Sequence, residues 1–323
     1  MKARLIAALV GLWLALPALA LAQAPDDALD WLYRVAEAPR KLTYSGTFIY
    51  QNGSKTETSR ITHLVDHGNE LERIEVLDGS PRQVLRINDE VKCFLPESRL
   101  LVIEQRSAGR QTFPALLPAS LAGLAEHYNI RKGATARVAG FDSQSIVVEP
   151  KDQLRYGRQF WVDTRTGIPL KARLVNERGE PIETFAFTEL HIGGPVDRKA
   201  LREAPAMSGG DWKVVNVRTR SGDDDQWLFR TPLAGFRKIM GMKREMHPGL
   251  PGMTHIVFSD GLAAFSVFIE QLTGSAKPET GQFAMGTVNI YKRIADGHLL
   301  VVMGDLPPAS LKAVGDGMEM KKK

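Results

Sequence analysis

The chain has 323 residues, enough for one large domain or two smaller ones. Its formal charge of +5 comes from 42 basic and 37 acidic residues that interleave throughout, which leaves no clustered basic stripe for a nucleic-acid surface. A single cysteine, Cys93, excludes an intramolecular disulfide, so packed cores must carry the stability.

Lys2 and Arg4 precede an uncharged apolar stretch, Leu5–Leu21, that exits through Ala18-Leu19-Ala20-Leu21-Ala22. This is the layout of a cleavable export signal. A cut after Ala24 would put Pro25 first, so the better cut follows Ala22, making residues 1–22 the signal and Gln23 the start of the mature chain. Losing Lys2 and Arg4 lowers the formal charge from +5 to +3. No cysteine follows the stretch to take a lipid, and no later segment has the length and apolarity of a membrane span. A soluble protein outside the cytoplasm is expected.

Asp26–Ala38 is the first expected helix, with Leu29, Leu32, Val35 and Ala36 at helical spacing and Pro39 as its stop. The period then changes to two. Leu42–Tyr50, Thr56–Asp66, Leu71–Leu77, Gln83–Asn88, Val91–Leu95 and Arg99–Glu104 alternate as strands, joined by turns too short for parallel crossovers. In this series Cys93 shares a face with Val91 and Leu95, the setting of a buried, inert thiol. A helical patch is expected over Phe113–Tyr128. The antiparallel meander resumes with Tyr156–Asp163, Ile168–Asn176 and Ile182–Leu190. About nine to eleven strands with two helical insertions thus make one curved sheet, with the helices as cover for its apolar face.

Gly193–Asp211 has no periodicity and carries Gly193-Gly194-Pro195, Pro205 and Ser208-Gly209-Gly210, the marks of an exposed linker. A second pattern begins at Trp212. Trp212–Arg220 and Gln226–Thr231 look like strands, and Phe236–Met246 like a short helix or irregular segment. Two Asp-Gly turns, at Asp260-Gly261 and Asp296-Gly297, separate alternating runs and predict hairpins. After Pro307-Pro308 a short helix precedes a flexible run, Met318–Lys323. The fold class is mainly antiparallel β with a few helices (α+β).

Signatures of catalysis are missing: no Gly-x-Ser-x-Gly, no Walker loop, no Gly-x-Gly-x-x-Gly and no Cys-x-x-Cys. His63 and His67 have ligand spacing for a helix, but the local period is two, so they do not converge on a metal. Asp223-Asp224-Asp225 fits a solvated loop tip better than a calcium site. Glu70 and Glu72 share a strand face and fit a charged outer surface, with Arg73 and Arg82 nearby, better than a glycosidase pair. No cofactor is expected. Two apolar features remain. The inner face of the large sheet, with Tyr44, Phe48, Tyr50, Phe160, Phe185 and Phe187, is either a filled core or the wall of an acyl-chain cavity. Phe236, Met240, Met242, Arg244 and Met246 belong to a methionine-dense segment that suits an adaptable partner surface.

Long ordered blocks carry a resemblance: Leu42-Thr43-Tyr44-Ser45-Gly46-Thr47-Phe48-Ile49-Tyr50, His63–Gln105, Tyr156–Leu190, His255–Glu270 and Gly286–Ala309. Through them the chain resembles the MucB/RseB family, regulators of the extracytoplasmic stress sigma factor in Gram-negative bacteria, and within it the MucB branch. The resemblance implies a LolA/LolB-like half-barrel over 23–192, a linker over 193–211 and a smaller β-rich domain over 212–323. It also implies a periplasmic negative regulator that binds the periplasmic segment of a MucA/RseA-like transmembrane anti-sigma factor and protects it from regulated proteolysis. Lipid or lipopolysaccharide acyl chains would release it, with alginate production among the downstream outputs. A lipid or lipoprotein carrier is the alternative, and a homo-oligomer through a free sheet edge stays open.

Overall fold

The computed structural model describes residues 26–105, 113–118, 121–202, 211–222, 226–245, 252–273 and 278–321. The signal segment, Asp223–Asp225 and Met246 lie outside the described residues.

Helix α1 (Asp26–Lys41) forms where Leu32, Val35 and Ala36 fall on one face, and all three are fully buried. It runs past Pro39, the expected stop. A proline in the last turn sacrifices little, and Arg40 fastens that turn by donating to Ala36 O and Leu117 O. Next come β1 (Tyr44–Asn52), β2 (Lys55–Asp66), β3 (Asn69–Val76), β4 (Gln83–Ile87), β5 (Glu90–Leu95) and β6 (Leu100–Gln105). The segment after them is not the expected long helix. Among the described residues only α2 (Leu124–His127) is helical there, because Pro114 and Pro118 interrupt the spacing of Leu116, Leu117 and Leu121.

The sheet continues with β7 (Tyr128–Val138), β8 (Phe141–Pro150), β9 (Gly157–Asp163), β10 (Pro169–Val175) and β11 (Pro181–Ile192). β7 and β8 were not anticipated. Beyond β11 the supposed linker contains α3 (Arg198–Arg202), whose Leu201 is buried against Leu64 and Leu71. Then β12 (Lys213–Asn216) pairs in parallel with β6, so the change of pattern at Trp212 does not mark the start of the second sheet. The large sheet has the order β12-β6-β5-β4-β3-β2-β1-β11-β10-β9-β8-β7, and every other neighbouring pair is antiparallel. At its centre β1 pairs with β2 and β11. Gly46 is required there: a Cβ on it would lie 2.3 Å from Glu189 O.

The second sheet begins one residue later with β13 (Arg218–Ser221). After β14 (Trp227–Phe229) come β15 (Arg237–Glu245), β16 (Met253–Ser259), β17 (Ala264–Gln271), β18 (Gly281–Met285), β19 (Val288–Ala295) and β20 (His298–Gly304). Their order is β13-β15-β16-β17-β20-β19-β18. Phe236–Met246, expected to be a helix or irregular, is therefore mostly strand β15. Both Asp-Gly hairpins form, and Asp296 and Gly297 take the positive φ of a tight turn, 49° and 72°. Helix α4 (Pro308–Asp316) covers one face of this sheet, where Ile256, Val267 and Val302 meet Leu311 and Val314. The expected flexible tail instead begins with β21 (Met318–Met320), which pairs with β14.

Candidate functional site: an apolar cavity between the two sheets

Alternation puts Tyr44, Phe48 and Tyr50 on the inner face of the large sheet. Cross-strand register places Phe185 beside Tyr50, and Phe160 on the same face through Ala172. This face has two halves. Over β8–β10 it is filled: α1 and residues Leu117, Leu121 and Leu124 pack on Ile146, Phe160 and Ala172. Toward β1–β5 it borders a cavity of about 1070 Å³. That is slightly above the roughly 300–1,000 Å³ usual for ligand cavities. Phe48, Tyr50, Ile74 and Phe185 line it from the large sheet. Met240, Val257, Phe268 and Met303 line it from the face of the small sheet opposite α4.

Filled core and cavity therefore both occur, in different places. Of the six aromatics singled out from sequence, Phe48, Tyr50 and Phe185 face the cavity. Tyr44, Phe160 and Phe187 are buried in packed core instead, with Tyr44 stacked on His63 at 4.8 Å between ring centroids. Three described residues of the methionine-dense segment face inward. Met240 faces the cavity, Met242 is buried beside His255, and Phe236 lies tilted against Phe265 with ring centroids 5.4 Å apart. Nothing is described of the Arg244 side chain. Phe113 escaped the sequence reading as a site residue. It lies at 2 % exposure, stacked on Phe185 at 5.3 Å and tilted against Phe187 at 4.9 Å.

Polar groups also depart from expectation. Glu70 and Glu72 are not on an outer face. Tyr44, His63, Glu72 and Arg86 form a cross-strand row on the inner face, with Glu72 and Arg86 both buried and 3.1 Å apart. His63 bonds Leu42 O at 2.8 Å and faces Glu70 at 3.3 Å, while His67 turns away to Asp66. Among the described residues no cluster of His, Cys, Asp or Glu is arranged to hold a metal. Cys93, expected to be a buried, inert thiol, is half-buried and borders the cavity.

On the β9–β11 side the rim joins the domains. Arg158 pairs with Asp305, and Thr287 donates to Glu183 at 2.9 Å. Burial raises the Glu183 carboxyl above its usual range, against the opposing influence of Thr287 and Arg158. The protonated form therefore contributes stability that is complete below the unfolded value of 4.5 and lost as pH rises through the raised folded value. Glu183→Gln is accordingly expected to raise Tm at pH 7.5, with the gain fading as pH falls to 4. Thermal unfolding across that range checks it, and a lowered Tm at pH 7.5 would mean that the attraction of Arg158 outweighs burial.

Comparison with known proteins fits this two-part architecture. Residues 27–205 match the MucB/RseB N-terminal domain and residues 221–319 the MucB/RseB C-terminal domain. The sigma factor AlgU regulatory protein MucB of Pseudomonas aeruginosa is 32% identical over 311 residues, 95% of this chain and 94% of its own. The sigma-E factor regulatory protein RseB of Escherichia coli K12 is 23% identical over 288 residues, 87% of each chain. A crystal structure of MucB in complex with MucA(peri) superposes with a TM-score of 0.69 at 32% identity, covering 92% of this chain and 100% of its own.

Proposed function

Because this chain belongs to the MucB/RseB family, we propose that it binds the periplasmic segment of a transmembrane anti-sigma factor of the MucA/RseA kind. So bound, it protects that factor from regulated proteolysis and keeps an envelope-stress sigma factor inactive. The observation that carries this reading is the match of both domains, in order, to regulators of this kind, one of them solved with MucA. The carrier alternative has no comparable support. A carrier gains nothing from a second sheet that roofs its own cavity.

The cavity supports a further element of the reading, release by acyl lipid. Walls from both domains that are mainly apolar, with Glu57, Arg82, Glu104, Arg158, Glu183 and Asp305 also in the lining, suit acyl chains that carry a polar group, and a ligand held between two domains biases their arrangement. Coupling of this sort is reciprocal, so lipid that weakens partner binding is itself expelled by the partner. The mature protein titrated with an anti-sigma periplasmic domain is expected to lose about tenfold in affinity when lipopolysaccharide is added, a typical coupling. Constant affinity over a range of lipid concentrations removes lipid release and leaves partner binding intact. No capture at all removes the regulator reading.

The protein acts as a binding protein, not an enzyme, in the periplasm. No described helix is long and apolar enough to cross a membrane, and the N-terminal layout supports export with a cut after Ala22. N-terminal sequencing of protein from a periplasmic fraction is expected to begin at Gln23.

A further inference from the structure

Besides the rim contacts Arg158–Asp305 and Thr287–Glu183, the small domain is tied to the large sheet at both ends of that sheet, and these two end ties differ in kind. At the β6 end the tie is the chain itself. β12 belongs to the large sheet and β13 to the small one, with only Val217 between them, and its amide donates to Ile103 O at 2.9 Å.

At the β7–β9 end the tie consists of side chains. Arg155, just before β9, and Asp260, in the β16–β17 turn, have wholly buried side chains 2.5 Å apart. The Tyr128 hydroxyl donates to the same Asp260 oxygen at 2.8 Å. Arg155 also holds Asp152 and the carbonyl of Ala234. The other Asp260 oxygen accepts from the amides of Leu262 and Ala263 at 2.9 and 2.8 Å, which shapes the turn. Two leucines flank the pair in exchange. Leu262 of the small domain enters the large-domain cluster around Leu124 and Tyr128, and Leu154 of the large domain packs on the small-domain cluster. Leu262 is also part of the cavity wall.

We propose that the Arg155–Asp260 contact is a latch: the small domain turns about the β12–β13 crossing, and parting of this pair opens the cavity along the β7–β9 side. The physics of a buried ion pair suits a latch. Its attraction is largely offset by the hydration both groups give up, so it fixes one docking geometry without making closure permanent. When the pair parts, both charges regain water. A wholly apolar seam would hold the domains shut without that release. The crossing meets the opposite need, since a single residue between two hydrogen-bonded strands allows rotation and prevents separation.

As a route into the cavity the latch rests on the ligand reading given above, but its opening is measurable without ligand. In a full-length mature chain carrying Cys93→Ser, one spin-label pair at Asn129→Cys and Ala309→Cys reports the latch side. A second pair at Asp89→Cys and Lys243→Cys reports the crossing side. Asp260→Asn keeps the acceptor that shapes the turn and removes the charge. It is expected to lengthen and broaden the Asn129–Ala309 distance by about 10 Å or more, on the scale of hinge openings, with the Asp89–Lys243 distance unchanged. An unchanged Asn129–Ala309 distance overturns the latch, and equal movement of both pairs overturns the pivot. Should Asp260→Asn fail to fold, Tyr128→Phe removes only the hydroxyl bond and is expected to broaden the same distance to a smaller degree; no broadening again overturns the latch. Uptake of a fluorescent dodecanoyl probe by the unlabelled chain then separates the two readings. Faster uptake in Asp260→Asn supports the entry route, and equal uptake with an open latch overturns it. No uptake by either protein sinks the acyl-cavity reading alone.

Discussion

Replacing Phe113 by alanine is expected to cost about 3–5 kcal/mol of stability, the range for a buried phenylalanine. Its ring is the centre of an aromatic group. It stacks on Phe185 with an interplanar angle of 6°, meets Phe187, and lies 5.2 Å from Phe48. These partners come from β1 and β11, so Phe113 fastens the segment between β6 and α2 to the centre of the large sheet. Urea unfolding should show a lower midpoint with an unchanged slope. Because Phe113 also borders the cavity, the same variant enlarges the space offered to a ligand. A loss below about 1 kcal/mol, far under the usual cost of such a truncation, would mean that the segment is not seated as described.

Gly46→Val is the second large effect, and its mechanism is the reverse. Here there is no room to add an atom. A Cβ would meet Glu189 O at 2.3 Å and Leu190 Cα at 3.2 Å, both backbone, so no side chain can swing aside. β1 and β11 must separate locally or the register must change. The expected cost is about 1–3 kcal/mol or more, as for overpacked cores. Hydrogen exchange should show faster opening of amides in β1 and β11 than in β7 and β8. Uniform protection equal to the parent would show that the two strands approach less closely.

Much of the fold was legible because alternation and turn chemistry are local. The β1–β6 meander and the two Asp-Gly hairpins have inward apolar residues at every second position, and both signals lie within a few residues. Errors arose where local signal and environment diverge. β7 is an edge strand with one exposed face and a bulge between Lys132 and Thr135, so Asn129-Ile130-Arg131-Lys132-Gly133 has no clean period. In β8 the residues at alternate positions are Ser143 and Ser145, small enough to be buried without looking apolar. The leucines at 116, 117, 121 and 124 have helical spacing because all reach one concavity, and none of the described residues between 113 and 123 is helical.

The candidate site was legible only in part, for a related reason. Period two names the residues that share a face but not what lies over that face. Phe48 and Phe160 therefore look alike in sequence, though one borders a cavity and the other lies under α1. The methionines of β15 signalled an adaptable surface, and Met240 does face open volume, but between the domains and not toward solvent. Arg155 and Asp260 are 105 residues apart, and Asp260 carried only a turn signal, so no spacing rule could join them.

The pairing of β1 with β11 has a consequence for the order in which the molecule is assembled. Thr47 and Thr188, linked across this pair by a hydroxyl-to-carbonyl hydrogen bond, are 141 residues apart. A chain made from its N-terminus can zip β1 to β6 through hairpins, and β7 to β11 the same way, each over short loops. The middle of the sheet must wait for the last of these strands, since closing so long a loop comes before its contacts can reward it. Until then β1 offers an unpaired edge, the kind that captures a wrong strand. The seam at the middle of the finished sheet thus closes only after both meanders have formed, and until then it is open to misjoining.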